Sequence, residues 1–196
     1  MYSIVAEKPG DISVLQKKSI DFSEPKSNEV LIKNRAIGVN FIDIYFRAGL
    51  YPWPVDTDLV LGSEGAGEVE AVGPDVKNFK IGDRVAYAQP NNAYSTHRII
   101  SEDLVVSIPD GISYDQAAAS ILKGLTVKYL LCDSFNLQSD HEVLFHAAAG
   151  GVGLIAGQWI KEIGAKSIGT AGNSEKCMLA KQRGFDEVIN LSLIHI

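Results

Sequence analysis

The chain has 196 residues, 46% hydrophobic and 21% charged, the composition of a globular protein with enough apolar surface for a core. At roughly 100–200 residues per domain, one or two domains fit this length. The formal net charge of −6 supplies no basic field for nucleic acid.

Met1–Gly10 lacks a basic stretch followed by a long apolar core, so no signal peptide is expected. From there to about residue 110 the pattern is mostly β. Short apolar or alternating runs predict strands over Ser3–Glu7, Ser13–Lys17, Glu29–Val39, Gly67–Val72, Arg84–Ala88, Ser95–Ile99 and Leu104–Ile108. Turn signals separate them: Gly73-Pro74-Asp75, Gly82-Asp83, Pro90-Asn91-Asn92 and Pro109-Asp110-Gly111. Strands this short and numerous predict a barrel-like or sandwich module. One short helix, about Phe41–Ala48 and ending at Gly49, interrupts it.

After Gly111 the pattern changes. Ser113 and Gln116 form a capping box before Ala117-Ala118-Ala119, which predicts a helix. Lys123-Gly124 is expected to interrupt it, with a second helix over Leu125–Cys132. A strand at Glu142–His146, a helix at about Val152–Ile163 and a strand at Lys166–Thr170 follow. A helix over Ser174–Arg183, capped by Asn173 or Ser174, and a strand at Glu187–Asn190 complete a parallel βαβαβ unit. Val143–Ile160 is apolar enough to suggest a membrane span. It contains His146, Gln158 and glycines 150, 151, 153 and 157, and reads better as a buried strand and helix with a turn between. No membrane partner is expected.

That turn is the most informative stretch. An apolar strand runs into Ala147-Ala148-Ala149-Gly150-Gly151-Val152-Gly153 and then a helix. Tiny residues let a backbone approach a pyrophosphate, and the free N–H groups and dipole of the helix favour negative charge there. On the G-x-G-x-x-G template the three positions are Ala148, Gly150 and Gly153, so the first glycine is replaced. About 20 residues later, Gly169-Thr170-Ala171-Gly172-Asn173-Ser174 holds no acid for a ribose 2′-hydroxyl, and Lys176 follows. A small residue plus a cation suits a 2′-phosphate. Cys132 and Cys177 match neither metal spacing nor a disulfide framework, so a reducing, cytoplasmic setting is expected.

Several motifs in order carry a family resemblance: Gly38-Val39-Asn40-Phe41-Ile42-Asp43-Ile44-Tyr45, Leu61-Gly62-Ser63-Glu64-Gly65-Ala66-Gly67, Phe79-Lys80-Ile81-Gly82-Asp83-Arg84-Val85, Lys123-Gly124-Leu125-Thr126-Val127 and the glycine turn. With these the chain resembles the zinc-free medium-chain dehydrogenase/reductases of the quinone oxidoreductase, zeta-crystallin-like group. The resemblance implies an α/β protein. A GroES-like β-barrel domain, residues 1–120, precedes the first βαβαβ half of a Rossmann domain, residues 121–196, with NADPH in the cleft between them. It implies NADPH-dependent, zinc-independent hydride reduction of a small quinone. The alternatives are an enone or enoyl-thioester reductase of the same superfamily and a non-catalytic, crystallin-like NADPH-binding protein.

The resemblance also assigns residues. Asn40, Asp43, Tyr45 and Tyr51 face the nicotinamide and substrate. Asn40, Thr126, Ala149, Gly150, Gly151, Val152, Gly153, Thr170, Gly172 and Lys176 contact the cofactor. Zinc-dependent members carry Cys near position 40 and Gly-His-Glu at 62–64. Asn40 and Ser63 stand there, and neither ligates Zn²⁺ well. Without a metal no zinc alkoxide forms, so a ready hydride acceptor is the expected substrate. The family continues after Asn190 with Tyr and a charged helical segment, whereas Leu191–Ile196 is apolar. The expectation is therefore a piece of a longer, homodimeric parent enzyme, inactive by itself.

Overall fold

The protein is described by a computed structural model covering residues 1–56 and 58–193. It divides into two compact units, Met1–Leu122 and Lys123–Ile196.

The first unit is antiparallel β with one short helix. Its strands are β1 (Tyr2–Ala6), β2 (Leu15–Ser19), β3 (Glu29–Gly38), β4 (Leu59–Val60), β5 (Glu64–Val72), β6 (Arg84–Ala88), β7 (His97–Ser101) and β8 (Val105–Ser107). They form a five-stranded sheet, β7-β3-β5-β6-β8, and a three-stranded sheet, β2-β1-β4. A bridge between Ser3 and Ser95 joins β1 to the segment before β7, with Ser3 Oγ donating to Ser95 Oγ at 2.7 Å. The sheet core is Val30, Ile32, Val69, Val85, Tyr87, Ala93, Ile100 and Val105. Each fully buried aliphatic chain here contributes about 1.5–3 kcal/mol over an exposed one.

Helix α1 (Phe41–Arg47) begins immediately beyond β3. Its C-cap is Ala48, and Gly49 takes the left-handed φ of +76° that ends it. Phe46, Trp53 and Tyr94 pack on buried Ala6, Leu59 and Leu61, and the Trp53 indole N–H donates to the Phe46 carbonyl at 2.7 Å. This seats α1 on the three-stranded sheet.

Helix α2 (Tyr114–Lys128) is continuous through Lys123-Gly124, where an interruption is expected from sequence, and a single π-type turn, Tyr129–Ser134, follows it. A mid-helix glycine costs about 1 kcal/mol relative to alanine, and burial at Ala117, Ala118 and Val127 on either side outweighs that. The Ser113–Gln116 capping box forms as expected, with reciprocal bonds of 2.9 and 3.2 Å.

The second unit is a parallel sheet, β11-β10-β9, made of β9 (Glu142–Phe145), β10 (Lys166–Ala171) and β11 (Glu187–Asn190). Helix α3 (Gly151–Ile163) connects β9 to β10, and α4 (Ser174–Gln182) connects β10 to β11. Its core gathers Val127, Leu131, Leu137, Ala148, Ala156, Ile160, Ala165, Ala180 and Phe185. The chain is thus α/β, a barrel-like antiparallel module followed by one βαβαβ half. Several boundaries differ from the sequence reading. Ile12–Val14 and Glu102–Leu104 are 3-10 turns, β5 starts three residues before Gly67, and β4 is an addition. Of the apolar tail, Leu191–Leu193 form a 3-10 turn, and residues 194–196 lie outside the described part.

Candidate active site and nucleotide-binding turn

In the first unit the site is built at the junction of β3 and α1. Asn40 is the N-cap of α1, and a capping box joins it to Asp43. The Asn40 backbone N–H donates to Asp43 Oδ2 at 2.9 Å. Asp43 is only 3% exposed. Its Oδ1 also accepts from Ser63 Oγ at 2.6 Å, and its Oδ2 from the Tyr94 hydroxyl at 2.9 Å. Burial, and then the Asp43 charge, push the Tyr94 phenol well above its ordinary range, so it remains a donor. Three donors satisfy the Asp43 carboxylate inside the fold. Asp43 therefore holds the start of α1 and does not reach outward.

The Asn40 side chain is held from the other direction. Its Nδ2 donates to Glu64 Oε1 at 2.8 Å. Glu64 is fully buried, and its Oε2 accepts from the Leu122 backbone N–H at 2.9 Å. Gly38 pairs with Glu64 across β3 and β5. A Cβ on Gly38 would overlap that carboxylate, so only glycine leaves room for it.

Tyr45 and Tyr51 come together at the other end of α1. Their rings meet edge to face at 5.7 Å, and the Leu50 and Tyr51 backbone N–H groups both donate to the Tyr45 carbonyl. Both rings are partly open to solvent, at 38% and 44% exposure. At the opposite end of α1, Val39 and Phe41 are each 75% exposed.

In the second unit the strand-to-helix turn has the geometry of an anion site. Ala147 takes a left-handed φ of +54°, so the strained position lies one residue before Ala148, the first template position. The Ala148 N–H donates to the Thr170 carbonyl at 2.9 Å, tying the turn to β10. Gly150 is the N-cap of α3, and no side chain caps that helix. Its first-turn N–H groups are therefore left for an anion. A Cβ on Gly153 would lie 2.5 Å from the Ala148 carbonyl oxygen, which explains glycine at the third template position. Ala149 and Val152 are half-buried, and Gly150 and Gly151 are exposed.

Thr170 is buried within the sheet, and its hydroxyl meets His146 Nδ1 at 3.2 Å, so it supports the turn from beneath. Gly172 is exposed just past β10, with open space where a Cβ would stand. Asn173 caps α4 by accepting from the Lys176 N–H at 2.8 Å, which places the exposed Lys176 in the first turn beside Gly172. Thr126 is half-buried in α2. Open space at Gly172, a cation nearby and an uncapped helix start fit a dinucleotide carrying a 2′-phosphate. Among the described residues no three His, Cys, Asp or Glu side chains cluster as a metal site, and no helix is long and apolar enough to cross a membrane.

Sequence reasoning passed over Glu64 and Tyr94 as site residues and weighed Ser63 only as a replaced zinc ligand. For Glu64 a signal existed, because an acid amid Gly62, Gly65, Ala66 and Gly67 sits where small neighbours press the backbone close.

Comparison with known proteins agrees with this fold. The family described as the alcohol dehydrogenase GroES-like domain matches residues 26–135. The chain is 53% identical over 184 residues to a quinone oxidoreductase of Pseudomonas aeruginosa, covering 93% of this chain and 56% of that one. It is 50% identical over 184 residues to quinone oxidoreductase 1 of Escherichia coli, with the same coverages. The crystal structure of an Escherichia coli quinone oxidoreductase complexed with NADPH superposes with a TM-score of 0.93 at 48% identity, over 98% of this chain and 59% of that one. The chain thus spans little more than half the length of the relatives it matches.

Proposed function

The chain belongs to the alcohol dehydrogenase GroES-like domain family, and on that premise we propose that the whole protein is an NADPH-dependent, zinc-independent quinone reductase. The observation that carries the reading is the uncapped start of α3 at a turn only small side chains permit, in a chain about half identical to proteins named quinone oxidoreductase. NADPH supplies the hydride when bound. Gly151, Val152 and Gly153 offer backbone N–H groups to its pyrophosphate, with Ala149 and Gly150, whose own N–H is held by the Ala147 carbonyl, shaping the turn that leads into them. Gly172 leaves room for the 2′-phosphate and Lys176 neutralises it. Asn40 and Thr126 contact the cofactor, Asp43 and Thr170 support that arrangement, and Tyr45 and Tyr51 receive the flat acceptor. A quinone that has taken a hydride collects its proton from water, so no dedicated acid is required. A cytoplasmic homodimer is part of the same proposal and rests on the resemblance and the two unpaired cysteines read from the sequence.

The test is oxidation of NADPH by the full-length protein, followed by absorbance, with a panel of small quinones, an enone and a crotonyl thioester. Turnover with quinones above the other acceptors is expected. Turnover confined to the thioester would move the reaction to enoyl reduction. NADPH binding without turnover would leave a binding protein.

A further inference from the structure

We propose that Glu64 is the positioning residue of this site, its buried carboxylate fixing the orientation of the Asn40 carboxamide. This rests on the reading of Asn40 as a nicotinamide contact. An ionised carboxylate only accepts hydrogen bonds, whereas a carboxamide has one donating and one accepting end. Glu64 Oε1 takes the Asn40 Nδ2 at 2.8 Å, and Oε2 takes the Leu122 N–H at 2.9 Å. With both oxygens engaged and no solvent-accessible surface, the carboxylate is a fixed template, and it turns the amide nitrogen of Asn40 inward. The backbone of Asn40 is held independently by Asp43 Oδ2. Two buried acids therefore grip one residue, one setting where it stands and the other how its amide is turned. Gly38, which clears the space for Glu64, belongs to the same device.

Glu64→Gln keeps the shape but replaces one acceptor with a donor. A glutamine cannot accept from both partners, so one donor faces another. The Leu122 N–H is part of the backbone and cannot turn away, and the Asn40 amide can, so the misfit falls on Asn40.

The experiment is a double-mutant cycle in the full-length protein. Glu64→Gln is expected to lower kcat with a quinone by about 10-fold while NADPH affinity changes by less than about 3-fold, an effect on the reacting geometry. In an Asn40→Ala background the same substitution should cost no further activity. Equal losses with and without Asn40, or no loss at all, overturn the proposal. If Glu64→Gln does not fold, Glu64→Asp, which retains the charge and withdraws it by one methylene, enters the same cycle. A second readout needs no turnover and stands even if the quinone reading fails. In protein carrying labelled asparagine, the Asn40 side-chain amide proton bonded to Glu64 should be shifted and protected from exchange. Glu64→Gln should abolish both signatures, and an unchanged Asn40 amide refutes the assignment.

Discussion

Ser63 donates its hydroxyl to Asp43 Oδ1 across 2.6 Å, with both side chains buried. Ser63 stands where zinc-dependent members of the superfamily that the sequence resembles place a histidine. The position is committed to a protein–protein bond that anchors α1, and Asn40, at the other ligand position, is committed to Glu64.

The purified full-length protein should contain no stoichiometric zinc, and chelators should leave NADPH-dependent quinone reduction intact. Elemental analysis finding about one zinc per chain would contradict the acceptor chemistry argued from Asn40 and Ser63.

Cofactor choice should hinge on Lys176, which has no ion-pair partner among the described residues. A hydrogen bond to a charged group is worth about 1.5–3 kcal/mol, so Lys176→Ala should weaken NADPH binding roughly 10- to 100-fold and leave NADH nearly unaffected. Calorimetry with both cofactors checks this. Parallel losses for the two would remove the 2′-phosphate role.

Tyr45→Ala and Tyr51→Ala should each impair quinone turnover more than NADPH binding. The exposed edge-to-face pair offers its surface to the acceptor. Wild-type kinetics across several quinones in both variants would make the pair simple packing beside Phe46 and Trp53.

The turn at Ala147 stores strain. A left-handed conformation costs an L-residue about 1–2 kcal/mol, part of which glycine recovers and part of which it loses to unfolded-chain entropy. Ala147→Gly should therefore raise stability by roughly 0.5 kcal/mol, whereas Ala147→Val should lower it by more than about 1 kcal/mol. Urea unfolding of both variants reads the signs, and shifts in one direction for both would show that φ is not the controlling variable.

A pH effect is expected from Asp186. Its carboxylate accepts from the Ser167 N–H at 2.7 Å and from the Ser167 hydroxyl at 3.0 Å, and these bonds hold its pKa below the ordinary 3.8. As pH falls the unfolded chain takes up this proton first. The contribution is therefore complete above about pH 4 and is lost as pH drops through the lower folded value. Asp186→Asn should cost about 1 kcal/mol at pH 7 after solvent screening, and the gap should close toward pH 3. A gap that stays constant between those pH values would exclude the ionic origin.

Much of this architecture was legible because its signals are local. The alternation in Glu29–Val39, the turn dipeptides and the strand–glycine–helix order place most elements within a few residues. What escaped depends on distant partners. β4 is two residues long and exists only through its pairing with β1. Helix α2 passes Gly124 because buried residues on both sides override a weak local preference. The inward turn of Asp43 is settled by Tyr94, 51 residues away, and the role of Glu64 by Leu122, 58 residues away. No window of sequence contains either pair.

The bonds of β1 also constrain the order in which this protein is made. Ile4 donates to the Tyr94 carbonyl and Thr96 to the Tyr2 carbonyl, so β1 leaves the ribosome some ninety residues before these partners exist. At about 5–20 residues per second, Ser3, buried in the finished protein, waits several seconds before its partner Ser95 is made. Until then β1 can dock only against β2 in the Tyr2–Ser19 register and, once it has emerged, against the two residues of β4. During synthesis that hairpin is what a chaperone would meet, and slowing translation beyond Thr96 should matter less than slowing it before.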